Sequence, residues 1–362
     1  MEIEERWLEG LEGREREQRR QLLEQLLREG FAPAEIERAI AEDRLVLLRV
    51  DRVLGAAFTA RELEEQTGLP APVYTRIRRL QGLPEPGPDD RVFSAQDIEA
   101  ARATKLFLDA GIPEEGINET TAVLGEGMSR LAATITAIFL QTFLHAGDSE
   151  DAVAQRFAIL AEQLTPPFEP ILVAAFNAQL RASVQRGVLG RAQLDSGRRA
   201  AEQQLAVCFA DLVGFTHLGG QIEVLELGTV AGRLARLAAA HAEPPVRLIK
   251  TIGDAAMFVS PEPAAMVHTA LSLVDAARAE DLPELRAGIA FGTAAEHAGD
   301  YYGHSVNVAS RVTGIARPGS VLCTREIHDA CPERFDWSAA GRHRLKGVPR
   351  AVSLHRARLR ES

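Results

Sequence analysis

A chain of 362 residues exceeds what one hydrophobic core usually serves, so two domains are expected. Apolar residues make up 46% and charged residues 25%, which excludes a disordered or fibrous chain and fits a globular one. The net charge of −10 falls almost wholly on residues 1–200, with 33 acidic against 24 basic side chains, which weighs against a nucleic-acid-binding first half.

The opening "MEIEERWLEG" lacks the basic-then-apolar pattern of a signal peptide, and Cys208, Cys323 and Cys331 lie far apart with no CxxC and no paired His. Both features point to reduced thiols in a cytoplasmic protein and away from a zinc site. Residues 14–30 place Leu22, Leu23, Leu26 and Leu27 at helical spacing ahead of a Gly stop signal. Residues 59–84 read as helix, Gly-containing turn and second helix, and residues 93–113 as a helix opening near Ser94, Gln96 and Asp97. Apolar helices follow over 117–146 and about 151–190. The longest apolar run, "LAATITAIFLQTFL" (131–144), is shorter than the roughly 20 residues of a bilayer span. No transmembrane segment is expected, and this run reads as a buried helix.

Near residue 200 the texture changes. The polar stretch "GRRAAEQQ" (197–204) reads as helical, and strands follow at 205–211, 246–250, 255–259, 285–291 and 320–324. Helices separate most of them, near 222–241, 262–280, 303–316 and 325–331. The β-α-β-β-α-β order predicts a ferredoxin-like α/β sandwich over 204–362, behind an all-helical domain over 1–203, an α+β protein as a whole.

Within the sandwich, "CFADLVGFT" (208–216) ends an apolar strand on Asp211. A buried carboxylate costs several kcal/mol or takes up a proton unless a cation or donors meet it, so something must answer Asp211. The hairpin "KTIGDAA" (250–256) supplies a second carboxylate, Asp254, either as ordinary Gly-Asp turn chemistry or as half of a site for Mg²⁺ or Mn²⁺. In "GDYYGHSVNVASRVTG" (299–314), Asn307 and Arg311 share one helix face with Ser310 and Thr313 nearby. Val306, Val308 and Val312 pack the helix, so its polar stripe faces something specific.

Together and in this order, "FADLVGFT", "KTIGDA" and "GDYYGHSVNVASR" resemble the catalytic domain of class III nucleotidyl cyclases. The resemblance covers about 160 residues, from 203 to the C-terminus, and requires six positions to match in type and order. It implies that Asp211, Asp254 and the Leu212 carbonyl hold two divalent cations per site, Mg²⁺ or Mn²⁺, and that ATP is cyclised with loss of pyrophosphate. It further implies that Phe215 and Thr216, with Gly214, offer backbone amides to the polyphosphate at a helix start. Lys250, a donor, and Asp300, an acceptor, match adenine and mismatch guanine. Asn307 would orient the ribose and Arg311 would stabilise charge on the α-phosphate. Arg286 and Lys346 match positions that hold terminal phosphates, although both also suit a solvated surface. The family's sites are shared between chains, which implies a homodimer with two sites at its interface. A diguanylate cyclase would need a Gly-Gly-Asp/Glu-Glu-Phe turn where this chain reads "TIGDA", and a degenerate nucleotide-binding regulator would not keep all six positions.

The first half resembles the autoinhibitory domain of mycobacterial pH-sensing adenylyl cyclases in its helical character and its join to the second. Residues 59–113 also resemble the winged helix-turn-helix of MerR-type regulators, with Arg76, Arg78 and Arg79 as the face that would read DNA. Glu62, Glu64 and Glu65 and the net acidity favour a packing and gating module over DNA. Residues 176–204 are the candidate switch, a helix weakened by Gly187, Gly190 and Gly197. Of nine histidines only His145 lies in the first half, so His217 and His304, beside the motifs, are the expected titrators of any pH response. The apolar helices over 117–190 are alternatively the wall of a small or lipid-like ligand site.

Overall fold

The computed structural model describes residues 3–55, 57–87, 89–143, 145, 148–194, 202–215 and 224–360. The chain divides into two compact units, Met1–Arg186 and Gly187–Ser362.

The first unit is helical among the described residues. Helices α1 (Gly13–Arg28), α2 (Pro33–Ala41) and α3 (Leu48–Val53) enclose a core in which Leu22, Leu23 and Leu26 meet Trp7, Leu8 and Ile36. A second core joins α4 (Ala60–Thr67), α5 (Ala71–Leu80) and α6 (Ala95–Asp109) through Leu63, Tyr74, Ile77, Phe93 and Ile98. Two reciprocal caps fix this module: Glu62 N–H donates to the Thr59 hydroxyl at 3.3 Å while Glu62 accepts from Thr59 N–H at 2.7 Å, and Ser94 and Asp97 repeat the pattern.

Helices α7 (Glu114–Phe143) and α8 (Glu150–Leu194) correct two expectations. The apolar run 131–144 is not buried, because only 6% of the most apolar stretch of α7 is covered inside the protein. Val123, Leu124, Ile138, Leu140 and Phe143 stand exposed, as do Ile171, Val173, Phe176, Leu180 and Val184 on α8. Being 30 residues long, α7 also has the length and composition to cross a membrane, which the shorter run alone did not suggest. As for the candidate switch, α8 continues through Gly187 and Gly190 to Leu194 despite Pro166, Pro167 and Pro170 inside it. Residues 195–201, with Gly197, lie outside the described residues, and residues 202–204 are strand rather than helix.

Among the described residues of the second unit eight strands form one sheet: β1 (Glu202–Leu212), β2 (Arg247–Ile252), β3 (Ala255–Ser260), β4 (Leu285–His297), β5 (Asp300–Tyr302), β6 (Val321–Thr324), β7 (Asp336–His343) and β8 (Val352–Arg358). Their order is β2-β3-β1-β4-β6-β8-β7, with β5 paired to β4. Strand β1 lies inside the sheet, antiparallel to both neighbours, and helices cover both its faces, so it reads as continuously apolar. Ala206, Cys208, Ala210 and Leu212 face α9 (Val224–His241) and α10 (Pro263–Ala279), while Leu205 and Val207 pack with Val308, Ala309 and Val312 of α11 (His304–Ile315). Helix α12 (Arg325–Ala330) adds Ile327 to the first of these cores.

All three cysteines are buried and free, and burial pushes the Cys208 thiol up to about 12. A thiol-reactive disulfide reagent at neutral pH should therefore label none of them in the native protein and all three after denaturation; fast labelling of Cys208 in the native protein would contradict the packing of β1.

Candidate active site

Three strand ends converge on Asp211. Its register partners are Ala255 on β3 and Arg286 on β4, and Leu212 N–H donates to the Asp254 carbonyl at 3.0 Å, tying the β2–β3 turn to the end of β1. The turn itself needs Gly253, whose φ is 58°. Burial, then the charge of Asp211, raises the Asp254 carboxyl above its ordinary range, so the two acids sense one another. The described residues hold no group of three or more His, Cys, Asp or Glu suited to a metal. What stands here is a carboxylate pair, hard oxygen donors that a divalent cation would satisfy, and the Leu212 carbonyl is the adjacent backbone oxygen.

Asp211 already has a cation. Arg286 Nη2 and Nε donate to its Oδ2 at 2.6 and 3.0 Å, and Nη1 donates to the Gly314 carbonyl at 3.1 Å. Arg286, expected at terminal phosphates or on a solvated surface, is half-buried against Asp211.

Lys250 and Asp300 form an ion pair, half-buried on both sides, and Asp300 Oδ1 also accepts from Tyr301 N–H at 2.8 Å. A β-bulge makes this pairing possible. The β2–β3 register shifts between Leu248 and Lys250, so Lys250 pairs with Met257 and Arg247 with Val259, both on the α11 side of the sheet. Strict alternation would have turned Lys250 to the other side.

Helix α11 presents two faces. Ser305, Val308, Ala309, Val312 and Thr313 are buried, and the Thr313 hydroxyl, expected beside the polar stripe, instead donates to the Phe209 carbonyl at 3.1 Å. Asn307, Ser310 and Arg311 share the exposed face. The helix begins at Gly303, with φ 150°, where a Cβ would stand 2.7 Å from the Thr293 carbonyl oxygen.

Of the remaining candidates, Phe215 is partly buried against the α9–α10 core, and Thr216 and His217 lie outside the described residues. Lys346 is exposed in the β7–β8 connection and makes no hydrogen bond or ion pair with the groups above among the described residues. His304 is exposed at the start of α11. Sequence reasoning missed Arg247, Glu296 and Tyr301, which meet beside Lys250 and Asp300; the signal was a strand carrying two cations three residues apart.

In the first unit the arginines proposed to read DNA are engaged. Arg76 pairs with Glu114, Arg79 with Glu85, and the Arg78 guanidinium lies 5.0 Å from the centre of the Phe93 ring. A crevice lined by Phe139, Phe143, Arg156, Phe157 and Leu160 encloses about 10 Å³, and a more open one of about 440 Å³ lies between Phe31 and Val53 and Gln155, Ala158 and Ile159 of α8.

Residues 1–184 match the family described as the adenylate cyclase regulatory domain, and residues 198–356 the adenylate and guanylate cyclase catalytic domain. The pH-sensitive adenylate cyclase MT1302 of Mycobacterium tuberculosis is 38% identical over 359 residues, 96% of this chain and 90% of the relative. An adenylate cyclase of Streptomyces coelicolor is 32% identical over 289 residues, 78% and 74% respectively. A crystal structure of the adenylyl cyclase CyaB from Pseudomonas aeruginosa aligns with 44% of this chain and 96% of its own, at 20% identity and a TM-score of 0.39. The chain belongs to the adenylate cyclase family, with a regulatory domain ahead of the catalytic one.

Proposed function

We propose that the chain converts ATP to 3′,5′-cyclic AMP and pyrophosphate at two sites, each completed by a second copy. The observation that carries the reading is the Lys250–Asp300 pair, a donor beside an acceptor turned to the catalytic face by a bulge. Adenine offers an acceptor at N1 and donors at its amine, so each side chain meets its complement; guanine sets like against like. Asp211, Asp254 and the Leu212 carbonyl would hold Mg²⁺ or Mn²⁺, whose charge lowers the pKa of the 3′-hydroxyl and offsets that of the phosphates. Arg286, released from Asp211, would reach the polyphosphate, and the family resemblance gives Lys346 and the amides of Phe215 and Thr216 roles toward the same group. Asn307 orients the ribose, and Arg311 donates to the α-phosphate as negative charge builds there.

Asn307 and Arg311 stand on the exposed side of α11 while Asp211 pairs with Arg286 under the end of that helix, which supports a site shared between copies. The exposed apolar faces of α7 and α8 support the same partner, a second copy covering them, in a cytoplasmic protein. Residues 1–203 regulate the rate, with pH as the input suggested by the M. tuberculosis relative, and 176–204 carry the signal to 204–362. The net acidity of residues 1–200, with surface carboxylates already beside Arg76 and Arg79, weighs against DNA as the partner of this module.

The deciding assay supplies the full chain with ATP or GTP, Mg²⁺ or Mn²⁺, between pH 5.5 and 8. Cyclic AMP should form at least about tenfold faster than cyclic GMP, given mismatched contacts at both Lys250 and Asp300. Equal use of the two nucleotides, or no cyclic product under any condition, overturns the reading.

A further inference from the structure

Asp300 sits on a three-residue strand whose sheet partner is β4, and so short a hairpin does not hold itself in place. Lys250 lies on β2, which β3 and β1 separate from β4 in the sheet. For the two to meet, the β4–β5 hairpin has to reach back over the face of the sheet. Tyr301 is what anchors it there. Its ring is 3% exposed and packs with Val207 of β1 and Met257 and Val259 of β3, two strands nearer to Lys250. Its hydroxyl accepts from Arg247 Nη1 at 3.0 Å and donates to Glu296 Oε2 at 2.6 Å. Arg247 and Glu296 approach to 4.0 Å and close the triangle. Arg247 comes from β2, and the bulge after Leu248 puts it on the same face as Lys250. Glu296 comes from β4, next to the hairpin turn. One phenol hydroxyl thus joins the strand that carries the donor to the hairpin that carries the acceptor.

We infer that Arg247, Tyr301 and Glu296 form a brace that sets the spacing of Lys250 and Asp300, so that nucleobase choice depends on a buried hydroxyl that does not touch the nucleotide. This rests on the reading of Lys250 and Asp300 as the adenine-selecting pair. Tyr301 is a positioning residue. Without its hydroxyl the ring stays packed, the two charged partners lose their shared ligand, and the acceptor drifts relative to the donor.

The test uses the full-length protein and measures kcat and KM with ATP and with GTP. Tyr301→Phe should raise KM for ATP about tenfold, move kcat less than about twofold, and cut the preference for ATP over GTP about tenfold. Glu296→Gln, which keeps a neutral acceptor, should shift both in the same direction by less. Lys250→Gln should reduce the preference by itself, and adding Tyr301→Phe to it should reduce the preference no further, because the brace acts through that pair. An unchanged preference in Lys250→Gln overturns the base-selecting reading. A changed preference in Lys250→Gln with an unchanged one in Tyr301→Phe overturns the brace alone. If Tyr301→Phe melts below the assay temperature, Glu296→Gln and Arg247→Gln decide, and an unchanged preference in both overturns the brace. A uniform fall in kcat with both nucleotides, at constant KM and constant preference, marks a merely structural tyrosine and also overturns it.

Discussion

Equal amounts of Asp211→Ala and Arg311→Ala chains, each inactive alone, should together recover about a quarter of the wild-type rate. Random pairing makes about half of the dimers mixed, and each mixed dimer has one of its two sites free of substitutions, a consequence of two-fold symmetry. The geometry behind this is the division of α11. Its inner face is packed on β4 and β1, its end receives Arg286 through the Gly314 carbonyl, and Arg311 stands exposed on the outer side. Cyclic AMP production after mixing and re-equilibration is the measurement. No recovery at protein concentrations where mixed dimers are shown to form would place both residues on one chain's site and remove the shared-site model.

Gly288→Ala should lower kcat by roughly 100-fold, the cost of moving a catalytic group by about an ångström. A Cβ at Gly288 would lie 2.2 Å from the Thr313 amide nitrogen and 2.6 Å from its hydroxyl oxygen, closer than packed atoms come. Backbone surrounds the site, with the Ala309 carbonyl oxygen at 2.8 Å, so no side chain can swing aside and α11 itself must lift from β4. That overpacking costs about 1–3 kcal/mol, or a fall in Tm of roughly 2–12 °C for a domain of this size. The helix carries Asn307 and Arg311 with it. Kinetics with ATP and a thermal melt check both halves, and a normal kcat in a destabilised variant would show that the seating of α11 does not set the site.

The parts of this architecture that are legible in the sequence are those where burial on both sides, or periodic spacing, leaves a mark. Strand β1 reads as continuously apolar because sheet neighbours and helices cover it, and α11 shows valines on one face and Asn307 and Arg311 on the other. Strands β7 and β8 go unread because they end the sheet: β7 is mostly exposed, and β8 mixes Ser353, His355 and Arg356 among its apolar positions. Strand β5 is too short to carry a period. The bulge after Leu248 has no spacing signature, yet it decides which face Lys250 occupies. Apolarity in α7 announces that a face will be covered but not by what, so reading burial within the same chain was the error there. For Asp211 the sequence demands a counter-charge and cannot say that a residue 75 positions away supplies it.

That counter-charge makes two affinities interdependent. Because one guanidinium both neutralises Asp211 and grips the Gly314 carbonyl, an ion arriving alone competes with a tethered occupant instead of filling a bare negative pocket. On the proposed function, triphosphate would offer the guanidinium an alternative seat and so vacate the carboxylate. Ion and nucleotide would then strengthen each other's capture by the same factor, as any linked equilibrium requires, and without them Asp211 stands already neutralised.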